Sequence, residues 1–198
     1  MPKIVDKEEK RKAIADVSIT VFKNNGYHSA RMADIAVAAG IGKGTIYEYF
    51  KNKADILRYA LDNYFNAFLN GAVLAMGEIK DPLEKLLSLI DFAFRHAAKW
   101  EDHCAVYVDY FGTAAREKDY RIYLDAIYRD MESMLASIIE EGQRSGKFHE
   151  GYNPAGFAAL LVSLYEGAIL YDVFKGAPGN RELVRDAAIR LIEKGLTA

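Results

Sequence analysis

The 198 residues, 51% hydrophobic and 27% charged, hold enough apolar side chains to bury a sizeable core, which excludes an intrinsically disordered chain. The net charge of −2 conceals an asymmetry: residues 1–60 carry eleven basic and seven acidic side chains, a balance of +4, so the remainder carries −6. A basic head on an acidic body suits a polyanionic partner for the head alone. The single cysteine, Cys104, excludes an internal disulfide, and the opening MPKIVDKEEKRK lacks the apolar centre of a secretory signal, so a cytoplasmic protein is expected.

Asp6 to Asn24 reads as a first helix, with Ile14, Val17, Val21 and Phe22 on one face, Lys12, Asp16 and Lys23 on the other, and Gly26 as its stop. Its basic cluster Lys7, Lys10, Arg11 and Lys12 reads as a solvated face. From Ser29 to Lys53 the pattern is helix, glycine turn, helix. Met32, Ile35, Ala36 and Ala39 form a short apolar stripe, Gly40 can leave the helix with positive φ, and after Gly42 the chain restarts with Ile46 and Phe50 as inward anchors four apart. Two helices joined by so short a turn describe a helix-turn-helix, in which the first residues of the second helix meet base edges in the major groove.

Asn25-Gly26-Tyr27, Asp34-Ile35-Ala36, Ala39-Gly40-Ile41, the run from Lys43 to Phe50 and Lys51-Asn52-Lys53 keep the order and spacing of a known signature. They resemble the N-terminal domain of the TetR, or tetracycline-repressor-like, transcriptional regulators. Two positions depart from that pattern: Gly42 stands where the family has a Ser cap on the reading helix, and Ala30-Arg31 where it has a Ser or Thr cap on the preceding one. The resemblance implies a DNA-binding domain over residues 1–52 and a helical effector-binding and dimerisation domain over 53–198. Lys43, Gly44 and Thr45 occupy the tip of the reading helix, where Lys can donate to guanine and Thr can touch a thymine methyl. Tyr47 and Lys53 match family positions that hold phosphates, and Arg31 and Tyr49 complete the expected DNA-binding set.

The remaining helices follow in order. Leu57, Leu61, Tyr64, Phe65, Phe68 and Ala72 recur every three or four residues from Lys53 to about Met76, before Gly77 and the cap Asp81-Pro82. A fifth helix runs to about Trp100, a shorter sixth from Cys104 to Thr113 ends near Gly112, and a seventh runs from Lys118 to Ser145 with Gly146 as its stop. Asn153-Pro154 opens an eighth, apolar all round to Lys175, and Asn180 to Lys194 forms a ninth. No strand-like alternation appears, so the fold is all-α. The stretch from Ala155 to Phe174 is long enough to tempt a membrane reading, but Ser163, Glu166 and Asp172 argue against a span. A helix with no polar side must be covered on both, by its own body and by the same helix of a second copy. The resemblance likewise implies a homodimer, here through residues 154–195.

Tyr hydroxyls, His96, Asp109 and Glu166 fall among apolar neighbours in the body, as a small-molecule pocket requires. The resemblance implies such a pocket among helices four to eight, and Phe92, His96, Tyr107, Tyr110, Phe111, Tyr128, Phe157 and Tyr165 are the expected effector-binding residues. Trp100 and Tyr123 belong to the same aromatic population. His96, His103 and Cys104 do not match a compact zinc spacing, and no nucleotide or triad motif is present, so no metal, cofactor or enzymatic activity is expected. The reading is a ligand-responsive regulator, a repressor released from a palindromic double-stranded DNA operator by a small hydrophobic or amphipathic effector. Its rivals are a ligand-independent architectural DNA-binding protein and an all-α enzyme or carrier.

Overall fold

A computed structural model describes residues 7–97, 101–175 and 180–197. Asp6, expected to open the first helix, and Trp100 lie outside the described residues, as does the side chain of His103. The described helices are α1 (Lys7–Asn25), α2 (Met32–Ala38), α3 (Ile46–Tyr49), α4 (Lys53–Met76), α5 (Pro82–Ala97), α6 (Glu101–Ala114), α7 (Lys118–Arg144), α8 (Pro154–Lys175) and α9 (Asn180–Leu196). Among the described residues there is no strand, and the one isolated bridge joins Phe148 to Thr197.

Local chemistry sets most of these boundaries. Asp81 Oδ1 accepts the backbone N–H groups of Leu83 at 2.9 Å and Glu84 at 3.3 Å, capping α5, and Asn153 Oδ1 accepts that of Gly156 at 2.9 Å, capping α8. Gly26, Gly77 and Gly146 follow α1, α4 and α7 with positive φ, as the sequence led one to expect. Two elements differ from expectation. The reading helix α3 is one turn long, and Lys43-Gly44-Thr45 lie in the turn before it. The sixth helix continues through Gly112 to Ala114, because Tyr110, Thr113 and Ala114 are all buried and packing outweighs a single glycine's low helix propensity.

The chain divides into two compact units. The first comprises residues up to Ala67 together with Asp102–Arg116; the second comprises Phe68–Glu101 and Glu117–Ala198. These units are not divided after residue 52, because the first part of α4 stays with the first unit, the division falling inside that helix after Ala67, and α6 returns to the first unit, where the Tyr107 ring lies 6.0 Å from that of Phe65 and Asp109 bonds the backbone of Tyr27. The core of the first unit is built on Ile14, Phe22, Ile35, Ile46, Ile56 and Leu57, each essentially inaccessible to water.

In the second unit α7 packs along α8, and α5 packs on α7 and α9. Leu86, Phe94, Ile139, Phe148, Val162 and Ile192 stand in its core. Helix α8 is long and apolar enough to span a bilayer, yet its Asp172, 6% exposed, is ion-paired with Arg181 of α9 at 2.6 Å. Its outward positions Gly156, Leu160, Ser163, Gly167, Tyr171 and Phe174 form a helical stripe that combines small and large apolar side chains, and Phe174 is 74% exposed.

Gly142 marks the tightest approach in this unit. A Cβ there would overlap the ring of Phe148, which is 1% exposed and has nowhere to go. Gly142→Ala should therefore destabilise the protein by about 1–3 kcal/mol, as overpacking does. Urea denaturation is expected to show a lower midpoint at unchanged slope.

Candidate nucleic-acid interface and interior cavity

The helix-turn-helix is held together from the inside. Gly40, with φ of +64°, reverses the chain after α2 at a geometry that a residue with Cβ resists. Ile41 N donates to Ala36 O at 3.0 Å and Ile46 N to Gly42 O at 3.3 Å, closing the turn. Ile46 is 0% and Phe50 2% exposed, so both ends of α3 are pinned to the core. The opposite face then points outward: Lys43 and Gly44 are exposed, Thr45 and Tyr49 half-buried, and Tyr47 is 52% exposed. Glu48 and Lys51 share this surface and were not singled out in the sequence. Arg31 is exposed, and its backbone N–H donates to Asp34 Oδ2 at 2.9 Å, which starts α2 without a Ser or Thr cap.

Lys53, matched above to a phosphate-holding position, is engaged within the head. Its ammonium donates to the carbonyls of Tyr27 at 2.7 Å, His28 at 2.7 Å and Ala30 at 3.2 Å, and lies 4.8 Å from the centre of the Tyr27 ring. An ammonium has three N–H donors. All are in use inside the head, so a phosphate contact would require giving one up. Burial pulls the Lys53 pKa below its ordinary value.

A second cluster was not legible as such. The Arg11 guanidinium lies over the rings of Phe50, at 5.0 Å, and Tyr59, at 4.7 Å, while Tyr59 donates its hydroxyl proton to Glu8 Oε1 at 2.5 Å. Burial first, and the Glu8 carboxylate second, push the Tyr59 phenol up. Arg11 therefore braces α1 against α3 and α4 through cation–π stacking, although its neighbours Lys7 and Lys12 are exposed as a solvated face predicts.

The second unit contains a partly open cavity of about 50 Å³, lined by Phe68, Leu89, Met131, Met134, Leu161 and Tyr165 among other apolar residues. No charged residue lines it. Burial, with the Glu166 charge adding to it and Arg181 opposing, holds the Tyr165 phenol far above its ordinary pKa, so its hydroxyl is neutral.

The eight expected effector residues do not converge on this space. Tyr165 lines it. Phe92 and His96 belong to a ring cluster with Phe68, at 5.5 and 5.4 Å. Tyr128 donates to both oxygens of Glu166, at 2.7 and 2.9 Å, and Phe157 packs edge-on to Tyr152 at 5.5 Å. Tyr107, Tyr110 and Phe111 belong to the first unit, with Tyr107 and Phe111 4.3 Å apart. Helical periodicity identifies a buried face but not the neighbour it is buried against, which is why the list mixes core and cavity. Met131, Met134 and Leu161 also line the cavity and carried no signal in the sequence, because apolar positions without a polar group look like any core position. Among the described residues no group of His, Cys, Asp or Glu is placed to hold a metal ion, and Cys104 is buried.

Comparison with known proteins is consistent across the chain. The profile of bacterial regulatory proteins of the tetR family matches residues 14–60, and that of the C-terminal region of BetI-type transcriptional repressors matches residues 82–197. The fatty acid metabolism regulator protein of Bacillus subtilis (strain 168) is 32% identical over 190 residues, covering 96% of this chain and 97% of its own. The transcriptional regulator BetI of Agrobacterium fabrum is 26% identical over 189 residues, 94% and 89% of the two chains. The fatty acid degradation regulator FadR of Bacillus halodurans superposes with a TM-score of 0.83 at 24% identity over 94% of this chain and 95% of its own. A transcriptional regulator of Saccharomonospora viridis in complex with choline gives 0.83 at 24% identity over 96% and 99%. These two structures share the fold.

The cavity makes its own prediction. Leu161→Ala should cost about 2–5 kcal/mol, the range for a buried leucine truncated beside an existing void. The enlarged space should stay dry and apolar, so saturating benzene should recover part of the lost melting temperature. A variant indifferent to benzene would mean that the space had collapsed or filled with water.

Proposed function

Because this chain belongs to the TetR family of bacterial regulatory proteins, a family of DNA-binding transcriptional regulators and not enzymes, we propose that it is a homodimeric repressor released from a palindromic operator by an acyl chain or similarly apolar effector. The observation that carries the effector class is the cavity's lining: aliphatic and aromatic side chains, two flexible methionines, one neutral hydroxyl and no charge. Hydrocarbon partitions into such a space, whereas a quaternary ammonium would have only the ring faces of Phe68, Phe94 and Tyr165 to replace its hydration, with no carboxylate in the lining. The likeness to the Bacillus subtilis fatty acid metabolism regulator supports the same class. A choline-like effector, suggested by the Saccharomonospora viridis neighbour, finds less support, since no charged side chain lines the cavity.

In this reading Lys43 and Thr45 read bases, Tyr47 meets the backbone, and two heads related by a two-fold axis require an inverted repeat. The outward stripe of α8, with Leu160, Tyr171 and Phe174, and the exposed Leu183 and Leu191 of α9 supply the self-complementary face. Gly156, Ser163 and Gly167 leave room for a second helix to approach. Residues 154–195 thus form the dimer interface. An effector releases the operator only to the extent that it binds the free form more tightly than the DNA-bound form.

Sedimentation at micromolar concentration is expected to give a dimer, and Leu160→Glu combined with Leu191→Glu a folded monomer; a double variant that stays dimeric would move the interface elsewhere. Selection from a random duplex pool should recover an inverted repeat. On that site Thr45→Ala should lose about 1–3 kcal/mol, and less on random DNA. Titrating the complex with fatty acids from butyrate to palmitate should release the DNA with a potency that rises with chain length, while choline should not. Release by choline alone would reverse the assignment of the effector, and release by neither would favour a ligand-independent DNA-binding protein.

A further inference from the structure

The turn between α1 and α2 is held from two sides by side chains distant in sequence. On one side the Lys53 ammonium, at the first residue of α4, gathers the carbonyls of Tyr27, His28 and Ala30. On the other, Asp109 of α6 accepts the backbone N–H of Tyr27 through Oδ2 at 3.1 Å. Between them Tyr27 is buried, its ring edge-on to Phe22 at 5.2 Å. All of these residues lie in the first unit.

We propose that Lys53 and Asp109 are positioning residues for DNA binding: Lys53 fixes the α1–α2 turn to the start of α4, and Asp109 ties the same turn to α6, so that α2 and the reading helix are presented only while both hold. The inference rests on the reading of the head as a DNA-binding domain. It gives Lys53 a task different from the phosphate contact that the resemblance implies.

The geometry explains the choice of residue. Three carbonyls converge on one point from successive stretches of a tight turn, and they can be satisfied together by a compact donor with three rotatable N–H bonds. A planar guanidinium on a longer stem presents its donors as a fixed fork and does not fit that arrangement. A phosphate, by contrast, accepts either cation, and Arg often better. Asp109 needs only an acceptor oxygen toward Tyr27, so an amide in its place should serve where an aliphatic side chain cannot.

The test uses the full-length protein and a duplex obtained by selection. Lys53→Arg should bind at least tenfold more weakly with the salt slope of the wild type, and backbone amides of residues 27–31 should exchange faster while those of α5 and α7 keep their protection. Asp109→Leu should accelerate exchange over the same residues and weaken binding, and Asp109→Asn should restore most of both. A Lys53→Arg variant with wild-type affinity and wild-type exchange would overturn the role of Lys53. So would a Lys53→Met variant whose salt slope falls by about one unit per contact, the mark of a lost phosphate neutralisation. Unchanged exchange in Asp109→Leu would overturn the role of Asp109. If no duplex is selected by the wild type, the DNA-binding assignment fails, while the exchange measurements still decide whether the two side chains hold the turn.

Discussion

The anchoring of Ile46 and Phe50 is the constraint on which the head depends. A helix of four residues has no stability of its own, since nucleation costs more than one turn of hydrogen bonds returns. Its conformation is borrowed from the two side chains that bury its inner face, and from Ile35 and Ala36 of α2 across the turn. Once these are seated, the directions of Lys43, Thr45 and Tyr47 follow without further specification. The outward residues can therefore change with the DNA sequence to be read, while the inward ones cannot.

Features set by short-range chemistry were legible in the sequence. The caps Asp81 and Asn153, the glycine stops and the bounds of α4, α7 and α8 all follow from residues within one turn of the boundary. The shortness of α3 and the continuation of α6 past Gly112 were not, because both are decided by tertiary contacts. The same distinction runs through the functional residues. Exposed positions on the reading helix and in the turn before it could be named from their place in the motif. Lys53 and Arg11 look like any surface cation until the carbonyls of residues 27–30 and the rings of Phe50 and Tyr59 are brought to them. The aromatic residues of the body were recognisable as buried, but the division of the chain, which sends Tyr107, Tyr110 and Phe111 to one unit and Phe92, Tyr128 and Tyr165 to the other, leaves no trace in periodicity.

Two carboxylates of α8 have polar partners. Asp172 and Arg181 neutralise each other where α8 meets α9, and Glu166 is occupied by the Tyr128 hydroxyl. A buried ion pair such as Asp172–Arg181 contributes little net stability, but removing one member leaves the other uncompensated, so it fixes how α8 and α9 register. The apolar character of the cavity is in this sense an outcome of polar arrangement: the ionisable groups nearby already have partners.

A cavity of about 50 Å³ is well short of the ~150 Å³ that admits a benzene ring. If the effector enters this space, as proposed, it must first find the minority of molecules in which Met131, Met134 and their neighbours have moved aside, and its apparent affinity is reduced by that fraction. On that proposal the dose at which the regulator responds is set partly by how tightly its own core is packed. Substitutions that loosen this core without touching the ligand would lower the threshold concentration, and those that tighten it would raise it. Sensitivity can drift across related proteins while the contacts that recognise the effector stay the same.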